Sequence, residues 1–240
     1  MKPRLNVPSV AVVLVVLAVL FAVSPAREWV IAKLSGSRTV DDVVRAHGEP
    51  ARDRLEPAFA AADVPYPPPA VTLAVLKDTK TLELWAGTPG ELRLVKQYPV
   101  LAASGQSGPK LKEGDHQVPE GIYAVESLNP NSRYHLALRV NYPNEFDREQ
   151  AARDGRSDLG GDIMIHGRNV SVGCLAMGDP AIEELFVLAV DAGIENVAIL
   201  IAPTDPRKRD LEPAEGDPAW VSELYEQISA AFGELRADRS

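Results

Sequence analysis

The sequence holds one cysteine, Cys174, a short loop downstream of His166. The stretch His166-Gly167-Arg168-Asn169-Val170-Ser171-Val172-Gly173-Cys174-Leu175-Ala176-Met177 thus carries the two side chains from which thiol nucleophiles are built. A thiol attacks a carbonyl as its thiolate, so it needs a base within ~3 Å or an ion-pair partner. His166 ends a short apolar run from Asp162, and a loop returning through Gly173 can bring Cys174 back to it. Gly173 lets the backbone approach a substrate carbonyl, and the N–H groups around Gly173 and Cys174 can face the developing oxyanion. A helix starting soon after the cysteine can lower the thiol pKa. The competing reading of a lone cysteine is a small buried hydrophobe. Arg139 and Arg168 are candidates to hold a substrate carboxylate with two parallel hydrogen bonds. His47 reads as a surface helix residue, His116 as a loop residue and His135 as structural. A zinc site built from His116, His135, His166 and a carboxylate is a rival, but no H-E-x-x-H or close-spaced ligand pair is present, and no metal or other cofactor is expected.

These residues need a scaffold, and the sequence patterning supplies short strands. Val71, Leu73 and Val75 alternate with smaller or polar residues, as do Leu82 and Leu84, with Asp78-Thr79-Lys80 as the turn between. Leu92–Leu101, Gly121–Val125, His135–Val140, Asp162–His166 and Val197–Ile201 read as further strands. Long loops separate them at residues 103–120, 126–133 and 141–159. One helix is clear: Asp179 as N-cap, Pro180 at the first position, Ile182, Leu185, Phe186 and Ala189 at helical spacing, and Gly193 as the stop. The expected fold class is mainly β with an inserted helix (α+β), about 130 residues long, with helical extensions at both ends. The N-terminal extension, residues 27–69, reads as a helical preamble stopped by Gly48 and Pro50, then a second short apolar stretch and a Pro-rich linker. Residues 203–240 read as a charged linker and an amphipathic helix, with Trp220, Leu224, Ile228, Phe232 and Leu235 as a packing stripe.

Composition narrows the partners. Net charge is -9 and pI about 5.0, with 45% hydrophobic and 25% charged residues. With no clustered basic face, nucleic acid is excluded as a partner. Residues 1–26 carry Lys2 and Arg4, an apolar run from Val10 to Val23 and small residues at Ser24 and Ala26, the layout of a secretory signal peptide. The run is short for a bilayer span, and an uncleaved membrane anchor is the alternative. Both place the remainder outside the cytoplasm, in the periplasm or cell envelope, where an unpaired cysteine points to chemistry.

The segment His166-Gly167 … Ser171-Val172-Gly173-Cys174 resembles the H-G, variable loop, S-x-G-C signature of the L,D-transpeptidase catalytic (YkuD) family. Gly114-Asp115-His116-Gln117-Val118-Pro119-Glu120-Gly121-Ile122-Tyr123, preceded by Ser104-Gly105, resembles that family's G-D-x-x-T-P-x-G-x-Y segment. The resemblance covers residues 70–202. It implies an L,D-transpeptidase-like β-sandwich, Cys174 as acyl-enzyme nucleophile and His166 as base. It also implies Gly173 in the oxyanion site, and Ser171 and Gly167 as loop support. The implied substrate is a peptidoglycan stem peptide containing diaminopimelate. Two residues depart from the pattern: Ala176 stands where most members have Arg, and Val118 where Thr is usual. The Ala-Met ending, and Asn141-Tyr142-Pro143-Asn144 with Asp147, resemble the YafK-like branch, which adds Tyr142 to the substrate-binding candidates. In that branch the same thioester chemistry can end in hydrolysis that detaches a lipoprotein from the wall. Transpeptidation, hydrolysis and a non-catalytic wall-binding module therefore stand as the three readings.

Overall fold

Alternation of apolar residues marks the strands of the main domain, and a computed structural model describes residues 37–235. The proposed signal or anchor at residues 1–26 lies outside the described residues. In chain order the elements are α1 (Val40–Ala61), β1 (Ala70–Leu76), β2 (Thr81–Thr88), β3 (Glu91–Pro99), β4 (Gly121–Asn129), β5 (Ala137–Val140), α2 (Glu145–Arg153), β6 (Met164–His166), β7 (Leu175–Ala176), α3 (Asp179–Ala192), β8 (Val197–Ala202) and α4 (Val221–Gly233). The α+β expectation holds. The eight strands form one sheet in the order β3-β2-β1-β8-β4-β5-β6-β7. Strands β1 and β8 are parallel, as are β6 and β7, and the other neighbours are antiparallel. β4 serves both halves: Gly121–Ala124 pairs with β8, and beyond a register shift between Val125 and Ser127 the strand pairs with β5. The sheet curls until Ala102, just past β3, bridges Ala176 of β7.

Period-2 side-chain alternation sends β1 residues to two cores. Val71, Leu73 and Val75 join Leu82, Leu84, Ile199 and Ile201 under α1 and α3. Ala74 and Leu76 face the other way, with Trp85 and Leu200, onto Leu224, Ile228, Phe232 and Leu235. The C-terminal stripe is therefore a packing face, as its spacing predicts.

Three local expectations are corrected. First, α1 runs unbroken through Gly48, Pro50 and Pro57. Each proline removes one helical hydrogen bond. Burial of Val43, Ala51, Leu55 and Phe59 against the main core outweighs that loss. Arg52 also clamps Asp191 of α3 with two hydrogen bonds of 2.7 and 2.6 Å. Second, residues 141–159 contain α2. Its sequence is polar, but Asn144 and Asp147 form a reciprocal capping box. Third, Asp179 does not cap α3. The N-cap is Gly178, and the Asp179 carboxylate is used elsewhere, as described below.

Candidate active site

Strand pairing brings the histidine and the cysteine together. β6 and β7 run parallel with Ile165 opposite Leu175 and His166 opposite Ala176, so Cys174 enters β7 one residue before the pairing begins. β7 is held on both sides. Met177 N–H donates to His166 O (2.8 Å), while Ala176 N–H donates to Ala102 O (2.9 Å) and Leu101 N–H to Ala176 O (2.8 Å). Ala176, at the position where the family pattern has Arg, is fully buried in this ladder.

His166 is 2% exposed and lies flat on Tyr134, with ring centroids 4.5 Å apart and planes 29° apart. Its Nδ1 is 2.6 Å from Gly167 O. A carbonyl only accepts, so that contact places the proton on Nδ1 and leaves Nε2 with its lone pair, the form a general base requires. Burial pushes the imidazole pKa down and the Gly167 contact partly offsets it, so the ring is neutral at neutral pH. Cys174 follows the same logic in the opposite sense. Burial raises its thiol pKa, and the thiol leans on Asp162 O (3.5 Å). The lowering expected from the nearby helix start is outweighed by this desolvation. The Cys174 and His166 side chains are not hydrogen-bonded to each other in this resting arrangement. The pair is therefore a neutral thiol and a neutral imidazole, suited to proton transfer during attack rather than to a standing ion pair.

Gly167 is required by space. A Cβ there would sit 2.6 Å from Tyr134 O and 2.7 Å from Asp179 Oδ1. That carboxylate oxygen instead accepts the Arg168 N–H (2.8 Å), and Arg168 O accepts the Gly178 N–H (2.9 Å). Asp179 thus fastens the loop that leads to Cys174, and Arg168 is held at φ 61 with its side chain largely exposed. Gly173 takes φ 78, a left-handed conformation that glycine adopts without strain. The two N–H groups expected at the oxyanion site are both occupied by hydroxyls. Gly173 N–H donates to Ser104 Oγ (2.6 Å) and Cys174 N–H to Ser171 Oγ (3.2 Å).

Ser104 is the residue that sequence reading undervalued, as a mere companion of Gly105. Its hydroxyl also donates to His116 O (2.7 Å), so it couples the cysteine loop to the segment at residues 114–123. That segment is organised by Asp115. The carboxylate accepts the backbone N–H groups of Leu111, Lys112 and Gln117 and pairs with Lys110 at 2.5 Å, and these donors hold its pKa below the usual carboxylate range despite burial. Arg139 lies on β5 opposite Met164, tied to Glu126 (2.5 Å) and Asp162 (2.7 Å). It therefore steadies the residue whose carbonyl receives the Cys174 thiol. Tyr142 is buried, and its hydroxyl donates to Leu159 O and Lys110 O (3.2 and 3.4 Å). That position packs Tyr142 into the wall of the loops. Val170 and Val172, exposed on the cysteine loop, give the site an apolar lip.

The class defined by the fold is an α+β sheet that carries a buried histidine and a thiol on adjacent parallel strands. The profile of the L,D-transpeptidase catalytic domain (YkuD) family matches residues 72–201, and the chain belongs to that family. It is 35% identical over 167 residues to YafK of Escherichia coli K12, whose assignment as an L,D-transpeptidase is itself provisional. That match covers 68% of this chain and 65% of the relative's length. Among solved structures, similarity is found to the helical cell shape determining protein Pgp2 of Campylobacter jejuni (TM-score 0.47, 17% identity, 71% of each chain). It is also found to Bd1075 of Bdellovibrio bacteriovorus (TM-score 0.42, 21% identity, 67% of this chain and 54% of that one).

Proposed function

We propose that this chain is a cell-envelope cysteine enzyme that cleaves an amide bond in peptidoglycan stem peptides and passes the acyl group through a Cys174 thioester. The observation that carries the reading is the His166 tautomer. With Nδ1–H engaged by Gly167 O, Nε2 is the nitrogen left to take the thiol proton. Attack forms the S–C bond while the proton moves from Sγ to Nε2. Collapse of the tetrahedral oxyanion breaks the C–N bond, and the imidazolium returns its proton to the leaving amine. An incoming amine or water then releases the acyl group and restores the thiol. For the Gly173 and Cys174 N–H groups to stabilise the oxyanion, the substrate oxygen displaces the Ser104 and Ser171 hydroxyls from them. Arg168 is the side chain placed to meet a substrate carboxylate.

Buried Ala176, at the position where most family members have Arg, favours water as acceptor over a second stem peptide. A hydrolase of this kind would detach a peptidoglycan-linked lipoprotein, and the leader read in residues 1–26 places the work outside the cytoplasm. The test is mass spectrometry of digested peptidoglycan, with and without bound lipoprotein, after incubation with the chain from Arg27 onward. Loss of protein-linked muropeptides without new crosslinks supports hydrolysis, and new 3→3 dimers support transpeptidation. Cys174→Ala is expected to abolish either change, by at least about 10³-fold, while leaving the thermal melt intact. Turnover retained in a folded Cys174→Ala variant would refute the thioester route.

A further inference from the structure

We propose a second site in this protein: a zinc-class cation site made by His47, His135 and Glu183, separate from the Cys174 centre. The three residues come from α1, from the segment before β5 and from α3, and their ligand atoms all lie within 4.8 Å of one another. Glu183 Oε1 is 3.1 Å from His47 Nδ1 and 3.0 Å from His135 Nε2. Tetrahedral zinc with bonds of 2.0–2.1 Å separates its ligand atoms by ~3.3 Å, so both distances from Glu183 Oε1 match to a few tenths of an ångström, and the two histidine nitrogens, within 4.8 Å of each other, are in range to close on the same ion. The rings are set for it. Their centroids are 5.3 Å apart at 85°. Two imidazoles on one tetrahedral ion would be ~5.2 Å apart, a spacing that an edge-to-face ring pair also adopts, so the metal-free packing already holds the rings at the separation an ion needs.

The carboxylate is also oriented as such sites require. Arg54 Nη2 holds the other oxygen, Glu183 Oε2, at 3.0 Å, which leaves Oε1 as a single ligand facing both histidines. The Arg54 charge is shared with neighbouring Glu184, which it reaches at 2.8 Å, and Glu184 in turn pairs with Lys96 at 2.6 Å. Glu183 and Glu184 thus balance Arg54 and Lys96, and the cluster does not repel a cation as a whole. In the metal-free form the two imidazoles donate N–H bonds to Oε1. On binding, those protons move to the opposite ring nitrogens or leave to solvent, and the freed lone pairs take the ion. Two histidines and one carboxylate match zinc and its borderline neighbours rather than magnesium or calcium. A bound ion would cross-link α1 to α3 and to the segment carrying Tyr134, the ring on which His166 lies.

The test uses the full chain, stripped with a chelator, carrying Cys174→Ser so that the thiol cannot be the ligand. Zinc is titrated against a chromogenic chelator and cobalt(II) is followed by its visible spectrum. The expected result is one ion per chain, an intense tetrahedral cobalt band without thiolate charge transfer, and a raised melting temperature. His47→Gln, which can keep a hydrogen bond to Glu183, is expected to weaken binding by at least about tenfold. Its metal-free circular dichroism and melt should match the parent, and His135→Gln serves as the second variant if they do not. Absence of stoichiometric binding, or binding unchanged in both histidine variants, overturns the site. Neither outcome bears on the Cys174 reading, because that cysteine is absent from the protein titrated.

Discussion

At the residue scale, the decisive property of the site is that burial acts oppositely on its two titratable groups. It lowers the pKa of His166 and raises that of Cys174. Both shifts favour the neutral forms, so at neutral pH the thiolate is made only as the proton is taken. Two signs follow for pH dependence. Catalysis needs unprotonated His166, and its lowered pKa moves the acid limb of kcat/KM below the ordinary imidazole value of about 6.5. Iodoacetamide needs thiolate, and the raised thiol pKa keeps alkylation of Cys174 accelerating beyond about pH 8.5. An alkylation rate that is already flat at pH 7 would show a standing thiolate–imidazolium pair and exclude the neutral one. The proposed nucleophile and base are legible in the sequence because one short motif contains both. The resemblance marks Ser104-Gly105 but not its role: Ser104 lies 69 residues from Gly173, and only the folded chain brings its hydroxyl to the Gly173 N–H.

At the scale of elements, the catalytic loop is fixed less by its own sequence than by the start of α3. Sequence reading gave Asp179 the usual work of a helix cap, because Asp before Pro is a strong local signal. The structure spends that carboxylate on the Arg168 N–H. The left-handed turn at Arg168 leaves this N–H pointing away from the ladder, and only tertiary contact could reveal the exchange. Asp179→Ala is expected to lower stability by about 1–2 kcal/mol and to lower kcat/KM by roughly tenfold, with Asp179→Asn restoring most of both. Thermal melts and steady-state kinetics on the two variants check this. If Ala and Asn behave alike, the hydrogen bond is not what holds the loop. Strand patterning was legible for β1, β2 and β8, where alternation is strong. The break expected in α1 rests on Gly48 and Pro50, a local veto, while the burial of Leu55 and Phe59 that overrides it is a long-range effect.

At the scale of the whole molecule, one buried acid sets part of the pH response. Asp147, which caps α2 and receives the Tyr123 hydroxyl at 3.4 Å, has its pKa pushed up to about 6 by desolvation. An acid whose folded pKa exceeds its unfolded value of 3.8 subtracts stability when ionised. The penalty is absent below pH 4, grows between pH 4 and 6 and is complete above. Asp147→Asn should therefore gain stability over the parent when melts at pH 7.5 are compared with melts at pH 4.5, by ~1–2 kcal/mol after allowance for its partial exposure. No relative gain would mean that the carboxylate's hydrogen bonds compensate its burial.

The position of β8 has a consequence for timing. It lies between β1 and β4, so the hairpin half of the sheet and the half bearing His166 and Cys174 share a ladder through it. Among the described residues it is also the last strand in chain order, so the strand made last sits in the middle. A ribosome or an export channel that has released only residues up to 196 has delivered His166 and Cys174 but not the strand shared by the two halves of the sheet. Contacts across such sequence distances close late. The two halves of the sheet thus lack their shared strand while the chain is still being threaded, and the ladder between them is completed only on release of Val197–Ala202.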